Sequence, residues 1–230
     1  MARKYASTIY YTCNVLILMF CLQSCAGTQD LRVKETEMEV VEVTNPVTGK
    51  IWMDRNLGAE KVAGSVDDKQ AFGDFYQWGR GMDGHQKRGS GTTRTLSRWD
   101  TPSHSKFILT DQSPNDWRKK QNDELWQGED GVNNPCPSGY RLPTQAEWDS
   151  ERISWSSNNL RGAFQSPLKL PAAGYREHNS GLIIGDGSIG SYWSSSVVYK
   201  NAVFVEIRTD RTLTSDFFRS TGFSVRCIKD

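Results

Sequence analysis

Arg141-Leu142-Pro143-Thr144-Gln145-Ala146-Glu147-Trp148 is the stretch from which the fold can be read. Pro143 discourages a helix from running in from upstream, because it lacks an amide hydrogen and clashes with the preceding turn. Thr144 can accept from the amide three residues on, and Glu147 stands where its carboxylate reaches back, which is a capping box. The pair predicts a short helix from this point to about Ile153. Downstream the chain looks like sheet. Tyr192-Trp193-Ser194-Ser195-Ser196 reads as one strand. Val203, Val205 and Ile207 alternate with Phe204, Glu206 and Arg208 in a second. Phe223, Val225 and Cys227 alternate with Ser224, Arg226 and Ile228 in a third, which puts Cys227 on an inward face. Thr209 to Thr221 reads as the connection between the last two strands.

Working toward the N-terminus, Gly79 to Pro135 has weak periodicity and many turn-forming residues, with Trp99, Phe107, Ile108, Trp117, Leu125 and Trp126 scattered through it. A disordered tract would be poorer in aromatics, so this reads as ordered irregular chain pinned by buried rings. Phe72, Phe75, Tyr76 and Trp78 have spacings that predict one face of a short helix over Ala71 to Trp78. Val40, Val41 and Val43 predict a strand, Asn45-Pro46-Val47-Thr48-Gly49-Lys50 a turn, and Ile51-Trp52-Met53-Asp54 the returning strand of a hairpin. The class is α+β: short helices, a small twisted antiparallel sheet and much loop.

Residues 1–24 read as a secretory signal. Arg3 and Lys4 precede an apolar run, Val15 to Leu22, that is well short of the roughly 20 residues of a membrane span. Leu22-Gln23-Ser24-Cys25 resembles the bacterial lipobox, which implies that Cys25 is acylated and becomes the mature N-terminus. Residues 25–38 are short and polar and read as a tether, leaving 39–230 as one domain. The whole chain carries +1; without Arg3 and Lys4 it has 26 basic and 27 acidic residues, net −1. A nucleic-acid binder usually carries a basic face and a high pI, so that class is set aside. Of five cysteines, Cys13 and Cys21 leave with the signal and Cys25 takes lipid. Cys136 and Cys227 remain as an even pair in a chain bound for an oxidising compartment, and are expected to bond to each other.

Thr48 to Gly58, Gly73 to Arg80, Cys136 to Thr144, Tyr192 to Ser195 and Ser224 to Asp230 occur in an order that resembles the Fibrobacter succinogenes major paralogous domain. That family is widespread in envelope lipoproteins of Bacteroidetes and Fibrobacter, and has no settled activity. The resemblance covers Thr44 to Asp230. Arg141 to Trp148 is further similar to formylglycine-generating, sulfatase-modifying proteins, which implies a C-type-lectin-like fold. A shared fold does not carry activity with it.

The enzyme reading is weighed residue by residue. Formylglycine-generating enzymes use two closely spaced cysteines to bind copper, and here Cys227 stands alone in sequence. Related iron enzymes need clustered histidines, whereas His85, His104 and His178 are far apart and read as surface loop residues. No Gly-x-Ser-x-Gly elbow surrounds Ser194 to Ser196. Gly84 to Ser90 resembles a phosphate loop but lacks the required Lys, and reads as a surface turn. No catalytic residue and no cofactor is expected. The composition leaves open a structural calcium, because Asp111, Asn115, Asp116, Asn122 and Asp123 supply oxygen donors in one stretch.

What remains is a binding module. Lectin-like folds often present a surface on the final sheet and its loops, which here holds Tyr199, Asn201, Glu206, Arg208, Asp210, Arg211, Phe217, Phe218 and Arg219. Aromatic and Arg side chains contribute much of the energy at such surfaces, although one of Phe217 and Phe218 is expected to pack beneath the sheet. The Trp-Ser-Ser and late Val-Arg pattern also resembles the display region of retroelement-diversified proteins. The resulting expectation is a non-catalytic lipoprotein of the cell envelope, at the outer membrane, held to the membrane by lipid and adhering to a protein or glycan. A sulfatase-modifying-type enzyme and a structural envelope subunit are the alternatives.

Overall fold

The computed structural model describes residues 40–230; the expected signal at 1–24, the lipid site Cys25 and the tether at 25–38 lie outside the described residues. No helix among the described residues is long and apolar enough to cross a membrane. Small antiparallel sheets dominate, with two α-helices and much loop between them: a mixed, loop-rich α+β fold.

The expected N-terminal hairpin is present as β1 (Glu42–Thr44) paired antiparallel with β2 (Ile51–Met53). Its turn closes through Asn45 and Gly49, with Gly49 at φ 70. The same sheet takes in β6 (Tyr140–Arg141) and the last strand, β13 (Ile228–Lys229), in the order β1-β2-β13-β6. The two ends of the domain are thus paired to each other.

The capping box forms as read. Thr144 Oγ1 accepts from the Glu147 amide, and Glu147 Oε2 accepts from the Thr144 amide at 2.9 Å, opening α1 (Gln145–Ile153). A second helix, α2 (Leu160–Gln165), was not anticipated; Asn159 caps it by accepting from the Gly162 amide.

Three strands follow as an antiparallel sheet in the order β11-β10-β9: β9 (Gly190–Val198), β10 (Asn201–Ile207) and β11 (Thr212–Phe217). The stretch Thr209 to Thr221, expected as a connection, therefore contributes a strand of its own, in register with β10 from Ala202 opposite Phe217 to Ile207 opposite Thr212. The alternation along β10 serves two cores. Val205 and Ile207 join Trp52, Trp148 and Tyr192 on the side of α1. Phe204 joins Trp193, Phe223, Trp78 and Trp126 on the other. In the C-terminal stretch the anticipated two-faced strand is buried on both faces: Ser224 and Arg226 are as enclosed as Phe223, Val225 and Cys227. It divides into β12 (Gly222–Phe223) and β13.

A third sheet runs β3-β12-β7-β8, where β3 is Tyr76–Gln77, β7 Tyr175–Arg176 and β8 Ile183–Ile184. It replaces the helix expected over Ala71 to Trp78. A 3-10 turn at Lys69–Ala71, capped by Phe72, is followed by Gly73, whose φ is 69 and whose Cα lies so close to Leu57 that an added Cβ would sit 2.4 Å from its carbonyl oxygen. Apolar spacing alone could not report that backbone constraint. A parallel pair, β4 (Thr92–Thr93) with β5 (Phe107–Ile108), completes the strands.

The irregular stretch Gly79 to Pro135 is pinned by buried rings at Phe107, Trp117 and Trp126, but Trp99 departs from the expectation and is 73% exposed. The buried tryptophans mostly place their indole N–H on a partner, as burial of that group requires. Trp78 donates to Ser194 O, Trp117 to Trp78 O, Trp126 to Asn133 O, Trp148 to Trp193 O and Trp193 to Tyr76 O. Cys136 and Cys227 form the expected disulfide, with Cα atoms 5.9 Å apart.

Candidate ligand-binding surface

The residues expected to form a ligand surface divide along β10. Tyr199 and Asn201 stand at the β9–β10 turn, while Glu206, Arg208, Asp210 and Arg211 stand at the far end. A seven-residue strand spans roughly 20 Å, so one small ligand does not touch both groups.

At the first end, Tyr199 is 96% exposed and holds φ 52. A side chain other than glycine in that left-handed region costs about 1 kcal/mol, and no burial of the ring offsets it. Asn201 donates from Nδ2 to Asp216 Oδ2 at 2.6 Å, linking β10 to β11 beside the turn. Phe217 and Phe218 lie near this end, with ring centroids 4.8 Å apart. Phe217 reaches inward to Phe204 and Phe223, which accounts for the ring expected beneath the sheet. Both rings stay half-buried, and His178 meets them edge-on at 6.1 and 4.8 Å. His178, read from sequence as a lone loop residue, thus belongs to this patch. Burial lowers its pKa, against the pull of Glu177 and Asp111.

At the second end, Arg208 meets Glu206 through two bonds, Nε to Oε1 at 2.6 Å and Nη2 to Oε2 at 3.1 Å. Both charges lie within electrostatic reach of Tyr175, whose hydroxyl burial shifts upward. Asp210 and Arg211 pair at 3.2 Å in the exposed β10–β11 turn.

Arg219 does not belong to the surface. It is 1% exposed, lies 4.7 Å over the Trp78 ring and bonds Asp123 Oδ1 at 2.6 Å. Its guanidinium closes the core beneath the 116–127 loop, an arrangement created by chain crossing and invisible in local sequence.

His85 likewise corrects its reading. It is fully buried: Nδ1 faces Asp83 Oδ1 at 2.7 Å and Nε2 accepts from the Gln77 amide at 3.1 Å. Burial pushes its pKa down to about 4. The Gly84 to Ser90 stretch is accordingly no simple surface turn, since His85 and Gln86 are both enclosed.

The oxygen donors considered for calcium are turned to separate partners. Asp116 accepts from the Arg118 amide and from Gln121 Nε2, and burial raises its pKa. Asp123 holds Arg219, Asn122 donates to Asp100, and Asp111 faces Arg94 at 3.5 Å. Asn115 Oδ1 is buried without a partner. Among the described residues no three His, Cys, Asp or Glu side chains converge in a way that could hold a metal ion. The disulfide takes up both cysteine sulfurs of the described residues.

One concave feature was missed by the sequence analysis: a cleft of about 310 Å³ beside Trp99, Arg98, His104 and Lys119. An aromatic with basic neighbours was visible in Arg98-Trp99, but its exposure was not.

Comparison with known proteins returned no matching family model, no matching curated protein and no matching solved structure.

Proposed function

We propose that this chain is a non-catalytic recognition or adhesion protein of the cell envelope, tethered by lipid on Cys25 at the outer membrane. In this reading its domain is a C-type-lectin-like member of the Fibrobacter succinogenes major paralogous domain family, and its ligand is a protein or glycan rather than nucleic acid. The ligand surface comprises the β9–β10 turn with Phe217, Phe218 and His178, flanked at the far end of the sheet by the Glu206–Arg208 pair.

The observation that carries the reading is Tyr199. Its ring stands in solvent on left-handed backbone. A fold gains nothing internally from that arrangement, whereas a bound partner would cover the ring and recover its burial free energy. Rigid aromatic groups lose little side-chain entropy on binding, and Phe217 is already held by Phe204 and Phe223. A lipid-anchored protein would need a second membrane signal or a second acyl chain for stable attachment, which triacylation of Cys25 would supply.

Glycan and envelope-protein arrays probed with the full chain in detergent test the proposal. Alanine at Arg208, Arg211 and Phe217 together is expected to reduce capture. Undiminished capture by that variant rejects the surface, and redox metal bound stoichiometrically to purified protein rejects the non-catalytic reading.

A further inference from the structure

The cleft beside Trp99 shares no residue with the β9–β11 surface, and the following inference stands without the proposal above. Seven of the eight tryptophans are at most 8% exposed; Trp99 is 73% exposed. Its position is built, not frayed. The Trp99 amide donates to Ser97 Oγ at 3.1 Å and Ser97 Oγ donates to Trp99 O at 2.8 Å, which ties the ring to a tight turn. That turn is clamped to the next segment by the Ser97 amide on Trp117 O and the Lys119 amide on Ser97 O, at 2.9 and 2.8 Å. Leu96 anchors it from below, against Ile108, Trp117 and Leu125.

The cleft's charge is one-sided. Among the described residues, Arg98 and Lys119 line it, both exposed and neither in an ion pair, and no carboxylate lines it. Asp100, the nearest acid in sequence, is occupied by Arg118 at 2.8 Å. His104 Nδ1 accepts from the Lys106 amide at 3.2 Å, so in the neutral ring the hydrogen sits on Nε2, free to be donated to a ligand.

We infer that this cleft binds an acidic sugar, with a pyranose face on the Trp99 indole and the acid group between Arg98 and Lys119. The indole face is electron-rich and attracts the polarised C–H groups of a sugar ring. Two unpaired cations supply charge-assisted bonds to a carboxylate. The volume lies at the lower end of the range of small-molecule sites, matching one or two sugar rings.

Calorimetric titration of the full chain in detergent tests this with tri-galacturonic acid and 3′-sialyllactose, against neutral galactotriose and lactose. At least one acidic sugar is expected to bind about tenfold more tightly than its neutral counterpart. Bound sugar should shield the exposed tryptophan from iodide quenching. Trp99→Ala should weaken binding about tenfold, and Arg98→Ala with Lys119→Ala should erase the preference for acid. All three residues are exposed, so these variants should retain the native unfolding midpoint. Acidic sugars binding no better than neutral ones, full affinity in Trp99→Ala, or tighter binding of AMP than of either acidic sugar would each overturn the assignment.

Discussion

Arg226 grips Asn56 across 170 residues of chain, donating from Nε and Nη2 to Asn56 Oδ1 at 3.1 and 2.9 Å. Its Nη1 donates to Leu168 O at 2.7 Å and Met53 O at 3.3 Å. One buried guanidinium thereby ties together the end of β2 and the residues following it, the segment after α2 and the stretch between β12 and β13. None of these partners is charged, and burial pushes the Arg226 pKa down to about 10.

Removing that guanidinium leaves several buried acceptors unpaired. Arg226→Ala is expected to cost about 3–5 kcal/mol in urea unfolding. Arg226→Lys should recover only part of it, because an ammonium cannot reproduce the planar fork. A lysine variant as stable as the parent would show that charge alone, not geometry, matters at this position.

The Cys136–Cys227 bond closes a separation of 91 residues. In the chain-entropy account such a loop constrains the unfolded state by about 4–5 kcal/mol. Cys136→Ser with Cys227→Ser should lower the unfolding free energy by that order, and reductant should lower it in the parent but not in the double variant.

Acid should act through Glu147. Burial alone would raise its pKa, but the Arg141 guanidinium and the Thr144 amide and hydroxyl outweigh burial and hold the carboxyl at about 2. As pH falls below the ordinary glutamate value of 4.5, the unfolded chain takes up the proton first. The contribution is therefore complete above pH 4.5 and disappears as pH falls to about 2, amounting to about 1–2 kcal/mol after solvent screening of this half-buried group. Glu147→Gln should flatten the pH dependence of the unfolding midpoint in that window.

His85 acts at higher pH. Its buried ring, held by Asp83 and the Gln77 amide with Arg80 and Arg176 nearby, has a pKa of about 4 against 6.5 in the unfolded chain. Between those values only the unfolded chain binds the proton, so stability falls as pH drops from 6.5 to 4, by about 3 kcal/mol. The difference in slope between the parent and His85→Gln across that window isolates the effect. Equal slopes would place the titration elsewhere.

Tyr199 separates stability from binding. Tyr199→Gly relieves left-handed backbone at a position where no packing is lost, so the unfolding free energy should stay level or rise by up to about 1 kcal/mol. Ligand capture should fall in the same variant. A stabilised protein with unaltered capture would remove the β9–β10 turn from the binding surface.

The local elements were legible wherever one short stretch of chain contains its own physical cause. Thr144 and Glu147 cap α1 with atoms three residues apart, the Asn45 to Lys50 turn makes its own hairpin, and β10 follows from period-two patterning. Setting aside Cys13, Cys21 and Cys25 as signal and lipid site left Cys136 and Cys227 as the expected pair. Tertiary structure decided what depends on distant chain. Leu57 pressing on Gly73 turned an apparent helical face into β3, because apolar spacing does not record backbone crowding. Burial of Arg219, Arg226 and His85 depended on carbonyls, rings and carboxylates brought in from elsewhere, since a polar group can be enclosed only where its partners converge. Exposure of Tyr199 and Trp99 was decided the same way. An aromatic ring carries no mark of its environment in the sequence, and only the folded chain determines which rings are covered and which stand in water.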